Sequence, residues 1–365
     1  MFLEFFLLIG LLIYISDDDC LKTGRTLRGA SGRTRKVLYV KNFKSVENLR
    51  VELNRINVFI GEPATGKSNI LECIGLLSFL YLNSIGVPLP LNYFVRLRDL
   101  ADMFFVRDTT RSISIELVIP NKRISVQISR RDGNYYLSVN NKNMRVRRDY
   151  RGFFVLDGEP EFESVPIYYY NFSMYGVPPK KIFEKAEVLL PPNGINLLHV
   201  IREHGKLREI IGDFLRDRGL ELLLKMGTGE LVIQGRIGSI VFEVPLWLVS
   251  DSLLRLFVIL AIKHMYSQAI FALEEPESKS YPYYTKILAE QIALDRKNTY
   301  VISTHNPYFL YSLLEKTGQE EISIFLTRIR NSRTVVQKLR EEHIRKIIEG
   351  EIDPFISVED LLDET

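Results

Sequence analysis

Gly61-Glu62-Pro63-Ala64-Thr65-Gly66-Lys67-Ser68, followed by Asn69, fits the phosphate-loop spacing G-x-x-x-x-G-K-[ST]. Two glycines permit a tight backbone curl in which several amide N–H groups face one anion. The Lys67 ammonium is placed to reach β- and γ-phosphates, and the Ser68 hydroxyl to hold the Mg²⁺ beside them. Glu274 and Glu275 end an apolar run from Ala269 to Leu273, and His305 follows another from Thr299 to Ile302. Adjacent strand residues point to opposite sides. Glu274 is therefore the metal-side candidate and Glu275 the residue that activates the attacking water. A histidine at a strand tip needs only to donate a hydrogen bond to a γ-phosphate, which a neutral imidazole does. Ser250 and Asp251 precede an apolar helical pattern. Ser250 reads either as the N-cap of a core helix or as an anion-receiving terminus. Together these residues predict a nucleoside triphosphate site that uses magnesium.

The surrounding elements give that site its context. An apolar strand, Ile56 to Ile60, feeds the loop, and Ile70, Leu71, Ile74 and Leu77 continue as a helix from about Gly66 to about Leu82. Leu38 to Asn42 and Leu49 to Leu53 alternate as strands. Pro88 and Pro90 interrupt the pattern. Ile113 to Ile119, Ile124 to Arg130 and Tyr135 to Val139 read as antiparallel strands, with Asp132-Gly133 as a hairpin turn. Ile167 to Phe172 is a further strand, and Ile195 to Leu215 has helical spacing. Strands return at Leu222 to Lys225, Glu230 to Gln234 and Ser239 to Val244, turning near Gly227-Thr228-Gly229. The last third alternates helix and strand, as a parallel sheet with crossover helices does. The expected fold class is α/β, with a mixed central sheet, an antiparallel β subregion and a helical subdomain.

The 365 residues suffice for one large α/β domain or two smaller ones, and the net charge of +3 excludes little. Cys20 and Cys73 form neither a disulfide framework nor a zinc site, and the five histidines lack metal-ligand spacing. The chain reads as intracellular and cytoplasmic. Phe2 to Ile15 is apolar but shorter than the ~20 residues that cross a bilayer, and no positive charge precedes it. Three readings stand: a poorly ordered or misassigned start, a packed helix, or a membrane anchor; a membrane partner is the least expected. A basic connector follows up to Lys36. The working domain is expected over 37–340, in halves 37–190 and 191–340, with a helical end and acidic tail over 341–365.

In combination, these segments resemble the ABC-type ATPase head shared by SMC-like, RecF-like and OLD-family proteins. The compact archaeal and bacterial AAA-family ATPases of that group are the nearest likeness. The resemblance runs from Lys36 to about Leu339. It is carried by Asn42-Phe43-Lys44-Ser45 after the first strand, by the phosphate loop continuing into Asn69-Ile70-Leu71-Glu72, by Glu274-Glu275-Pro276-Glu277, and by Ser303-Thr304-His305-Asn306-Pro307. It implies that the last two are the Walker B and switch-histidine segments. It also implies that Ser250-Asp251-Ser252 is the signature, touching the γ-phosphate bound to a second protomer. ATP would then be sandwiched between two heads that hydrolysis releases, with Lys44 near the nucleotide. Ser252 stands where relatives commonly have glycine, and Arg96-Leu97-Arg98-Asp99 lies only near the expected place of a Q-loop residue.

About 180 residues separate the phosphate loop from Ser250 and no heptads are sustained, which excludes a long coiled-coil arm. No Toprim-like acidic cluster follows Leu310, so a nuclease would be a separate chain. Arg130, Arg131, Arg145, Arg147, Arg148 and Arg151 interleave with Tyr135, Tyr136 and Tyr150, as a nucleic-acid surface or as a solvated hairpin. The expected function is a DNA-associated, dimerising ATPase switch in repair, mobile-element maintenance or defence. The alternative is a slow ATP-binding regulatory or scaffold module that controls a separate effector protein.

Overall fold

The computed structural model describes residues 36–162, 165–173 and 187–361. The apolar start, nearly all of the basic connector and the final residues of the acidic tail lie outside the described residues.

The described chain opens with a hairpin, β1 (Lys36–Phe43) and β2 (Val46–Leu53), followed by β3 (Ile56–Ile60), buried along its whole length. β3 feeds helix α1 (Lys67–Ser84). Then come β4 (Ile113–Ile119), β5 (Lys122–Arg131), β6 (Asn134–Val139), β7 (Lys142–Arg148) and β8 (Phe154–Asp157). With the first hairpin they form a seven-stranded antiparallel sheet in the order β2-β1-β4-β5-β6-β7-β8. The Asp132-Gly133 turn has φ of 49° and 77°, the doubly left-handed backbone of a tight hairpin. β7 and β8 were not anticipated. β7 turns inward only Met144 and Val146 among exposed arginines, which hides its alternation, and its announcing turn is Asn140-Asn141, again with two positive φ angles.

β9 (Ile167–Asn171) and helix α2 (Leu197–Glu203) follow. Residues 201–249 form a compact unit of their own. In it, helix α3 (Gly205–Arg216) packs on an antiparallel sheet of β10 (Leu220–Lys225), β11 (Glu230–Ile237) and β12 (Ile240–Pro245). The continuous helix expected over Ile195 to Leu215 is broken at His204, whose extended backbone begins α3 afresh.

The last part alternates as expected: α4 (Asp251–Met265), β13 (Ile270–Glu274), α5 (Pro282–Leu294), β14 (Thr299–Ser303), α6 (Pro307–Lys316), β15 (Ile322–Arg330), β16 (Arg333–Lys338) and α7 (Glu341–Ile348). The second large sheet runs β16-β15-β3-β14-β13-β9, all parallel except β16. Its inner strands are apolar without alternation because both faces are covered. α1 packs against β9, β13 and β14 on one side and β1 on another. That sandwiching is why the helix is apolar nearly all round, from Ile70 to Leu82. No helix among the described residues is long and apolar enough to cross a membrane.

Candidate functional site

β14 lies between β3 and β13, with Ser303 in register with Phe59 on one side and Glu274 on the other. The carboxyl ends of three consecutive parallel strands therefore meet, at the edge where ligands bind such sheets. β3 delivers the phosphate loop, β13 ends in Glu274, and His305 lies two residues beyond β14.

The loop turns through left-handed backbone at Gly61 (φ 136°), Ala64 (63°) and Gly66 (98°), and Gly66 is the N-cap of α1. The amides of Lys67, Ser68 and Asn69, in the first helical turn, have no intrahelical acceptor and point out at the positive end of the helix. Hydroxyls outside the motif hold this curl. Thr327 Oγ1 donates to the Ile60 carbonyl (2.9 Å) and lies 2.8 Å from Thr65 Oγ1. Thr334 Oγ1 donates to the Thr65 carbonyl (3.0 Å) and lies 2.6 Å from Ser45 Oγ, which accepts from Asn69 Nδ2 (2.7 Å). A Cβ at Gly61 would stand 2.3 Å from the Thr327 carbonyl oxygen, and one at Gly66 2.0 Å from Thr334 Oγ1. The β15–β16 hairpin is thus pressed against the loop at both glycines. Only the pairing of β15 with β3 reveals this, because Thr327 and Thr334 belong to no local motif.

Lys67 is buried, and its ammonium donates to the carbonyls of Gly61 (2.9 Å) and Glu62 (2.8 Å). Burial lowers its pKa to about 8, against the opposing pull of the Glu275 and Glu274 carboxylates. Glu62, Pro63 and Ala64 stand exposed on the outer curve of the loop, whereas Ser68 is half-buried at the helix start.

The two acidic neighbours do diverge. Glu274 is buried at the end of β13, where its Oε2 accepts from the Tyr169 hydroxyl (2.5 Å) and from Asn171 Nδ2 (2.9 Å). Its Oε1 faces Arg96 Nη2 at 3.2 Å. Glu275 leaves the strand through left-handed backbone (φ 43°), its amide bonded to the Ser303 carbonyl (3.0 Å), and turns its carboxylate outward. His305 Nε2 lies 3.6 Å from Glu275 Oε1. Partial burial and then the Lys67 ammonium hold the His305 pKa below its ordinary value, with Glu275 opposing, so the imidazole is neutral near pH 7. Behind it, Thr304 Oγ1 donates to Glu277 Oε1 (2.5 Å) and accepts the Asn306 amide (3.0 Å), and Asn306 Oδ1 caps α6 through the Phe309 amide (3.2 Å). Burial pushes the Glu277 carboxyl up to about 7.

Lys44 and Arg96 are drawn to one another's neighbourhood by a fully buried carboxylate. Glu72, on the second turn of α1, pairs with the Lys44 ammonium and with Arg96 Nε (2.6 Å), and Lys44 Nζ also donates to the Arg96 carbonyl (2.7 Å). In this arrangement the Lys44 side chain points to Glu72 rather than to the loop. Ser250 occupies the N-cap position of α4, yet its side chain makes no cap hydrogen bond. Ser250 and Asp251 are exposed and share no hydrogen bond or ion pair with the phosphate loop among the described residues. Ser252 instead turns inward and accepts the Tyr281 amide (3.3 Å), linking α4 to the segment after Glu277.

The donor set suits Mg²⁺, which takes one carboxylate and one hydroxyl from a protein and leaves its other positions to phosphate and water. Glu274 Oε1 already faces a cation, the Arg96 guanidinium, so the site accommodates positive charge. No cluster of three or more His, Cys, Asp or Glu side chains able to hold a metal alone occurs among the described residues.

No family model matches the chain, and no curated protein matches it. Solved structures do. The SMC head bound to the C-winged helix domain of ScpA aligns with a TM-score of 0.53 at 14% identity, covering 85% of this chain and 99% of that one. The SMC head domain from Thermotoga maritima aligns at 0.47 and 17% identity, covering 84% and 99%. The Smc head domain with an extended coiled coil, bound to the C-terminal domain of ScpA derived from Pyrococcus furiosus, aligns at 0.47 and 13%, covering 87% and 99%. The fold is accordingly that of an SMC head domain.

Proposed function

We propose that this chain binds ATP with Mg²⁺, hydrolyses it as a dimer of heads sandwiching the nucleotide, and works as a DNA-associated switch. The reading rests on one observation above all: adjacent strand ends bring Lys67, His305, Glu275 and Glu274 close enough that Lys67 feels both carboxylates and His305 feels Lys67 and Glu275. Lys67 and the loop amides bind the β- and γ-phosphates, trading two carbonyl acceptors for phosphate oxygens. Ser68 and Glu274 would hold the metal, which would supply positive charge to neutralise the phosphate oxygens. Glu275 accepts the proton of the attacking water, and His305 donates a hydrogen bond toward the γ-phosphate. Ser250 and Asp251, exposed at the start of α4, are assigned to the nucleotide of the opposing head. Residues 37–340 are proposed as the ATPase head.

DNA is supported by exposed Arg131, Arg145 and Arg147 on β5 and β7, beside Tyr136. Most of these arginines are also engaged within the protein: Arg145 Nη2 donates to Asn134 Oδ1, Arg147 pairs with Asp157 (3.5 Å), Arg148 donates to the Arg98 carbonyl (2.6 Å), and Arg151 pairs with Asp149 (3.3 Å). That internal use favours the second reading, a slow ATP-binding module that controls a separate protein. The structural neighbour with ScpA on its head is compatible with such a partner. ATPase rate measured with and without duplex DNA across a salt series separates the two. Stimulation falling steeply with salt supports the DNA switch, and indifference to DNA supports the module.

A further inference from the structure

Arg96 lies near the position where the resemblance expects a Q-loop residue, and nothing in the reaction outlined above uses it. Its placement is specific. Nε is tied to the buried Glu72 at 2.6 Å, while Nη2 reaches across to Glu274 Oε1 at 3.2 Å. The other Glu274 oxygen is filled by two neutral donors, Tyr169 and Asn171. Oε1 is therefore the oxygen left for a cation, and the guanidinium stands in front of it. About half of the Arg96 side chain is exposed, at 49%, so its outer end has solvent to move into while Nε keeps Glu72.

We propose that Arg96 is a displaceable counter-ion of Glu274: its Nη2 neutralises the carboxylate before metal arrives, and entry of the divalent cation with nucleotide drives it off Oε1 while Nε remains on Glu72 as a pivot. This rests on the ATP reading above. One physical consequence is that the arm competes with the metal. Two cations cannot share one carboxylate oxygen without mutual repulsion. A second is that the contacts to Arg96, Tyr169 and Asn171 hold the Glu274 carboxylate in one orientation, so the metal would meet a preformed ligand.

The test is Mn²⁺ binding, followed by electron paramagnetic resonance, to full-length Glu275→Gln protein saturated with ATP. Adding Arg96→Gln should tighten Mn²⁺ about fivefold or more. Unchanged or weaker Mn²⁺ affinity overturns the proposal, weaker binding meaning that Arg96 helps to assemble the metal site. Because Arg96 also neutralises buried Glu72, a second measurement avoids the substitution. With ¹⁵N-labelled arginine in the Glu275→Gln protein, the Arg96 guanidinium signal should shift when Mg²⁺ is added to the ATP-bound state and not with ATP in EDTA. A signal indifferent to the metal overturns the proposal. Failure of the Glu275→Gln protein to bind ATP at all would instead bring down the ATP reading.

Discussion

His305 Nε2 stands 3.6 Å from Glu275 Oε1, although the two residues leave different strands thirty positions apart in the chain. Parallel pairing of β13 with β14 brings them together, and the left-handed turn at Glu275 swings its carboxylate toward the imidazole. In the proposed hydrolysis, the carboxylate would take a proton from water and the neutral imidazole would give a hydrogen bond to the γ-phosphate.

Glu275→Gln should lower ATP turnover about 100-fold or more, the usual scale for losing a general base. ATP should still bind, because the phosphate loop is untouched, and light scattering should then find a persistent dimer with ATP and Mg²⁺. Undiminished turnover would remove Glu275 from the role assigned to it.

Lys67→Ala removes a buried ammonium whose acceptors are two loop carbonyls, which the proposed function would exchange for phosphate oxygens. Charge-assisted contacts are worth about 1.5–3 kcal/mol each. Calorimetry should show ATP affinity reduced by about 100-fold or more. Affinity equal to the unaltered protein's would show that the triphosphate does not sit in this loop.

Gly66→Ala should both destabilise the protein and weaken nucleotide binding. The backbone there is left-handed, and the added carbon would stand 2.0 Å from Thr334 Oγ1. A cost of about 2 kcal/mol or more is expected in urea unfolding. Thr334→Val is the milder counterpart, losing the bond to the Thr65 carbonyl at about 1 kcal/mol and loosening ATP binding. A silent Thr334→Val would mean that the hairpin does not support the loop.

Glu277 supplies a pH dependence. Its folded pKa is raised to about 7 from 4.5, so between those values the unfolded chain ionises before the native one. Stability is therefore greatest below the lower value, is lost as pH rises through the window, and is level above about 7. Arg255 eases that ionisation and Glu275 opposes it. Glu277→Gln removes the group, so its stability relative to wild type should grow by about 1–3 kcal/mol between pH 4.5 and 8. Guanidinium unfolding at the two pH values measures this. A difference that stays flat with pH would show that the carboxyl does not titrate this way.

Much of this architecture is legible in the sequence. The strand feeding the loop, the helix after it, the Asp132-Gly133 turn and the alternating last third all follow from local apolar period and turn chemistry. β7 escaped because arginines occupy most of its outward positions, and the break at His204 escaped because apolar spacing continues across it. Ser250 has the residue type and place of an N-cap without the hydrogen bond that would make it one.

The chain by itself determined the spacing of the phosphate loop, the place of its glycines and the apolar strand and helix that flank it, since these depend on residues within a few positions of each other. Tertiary structure alone decided their partners. That Arg96 faces Glu274, that Tyr169 and Asn171 hold the other oxygen of that carboxylate, and that Thr327 and Thr334 brace Gly61 and Gly66 all depend on strand order and register. Such contacts join segments over a hundred residues apart, and no local pattern encodes which side chains will meet there.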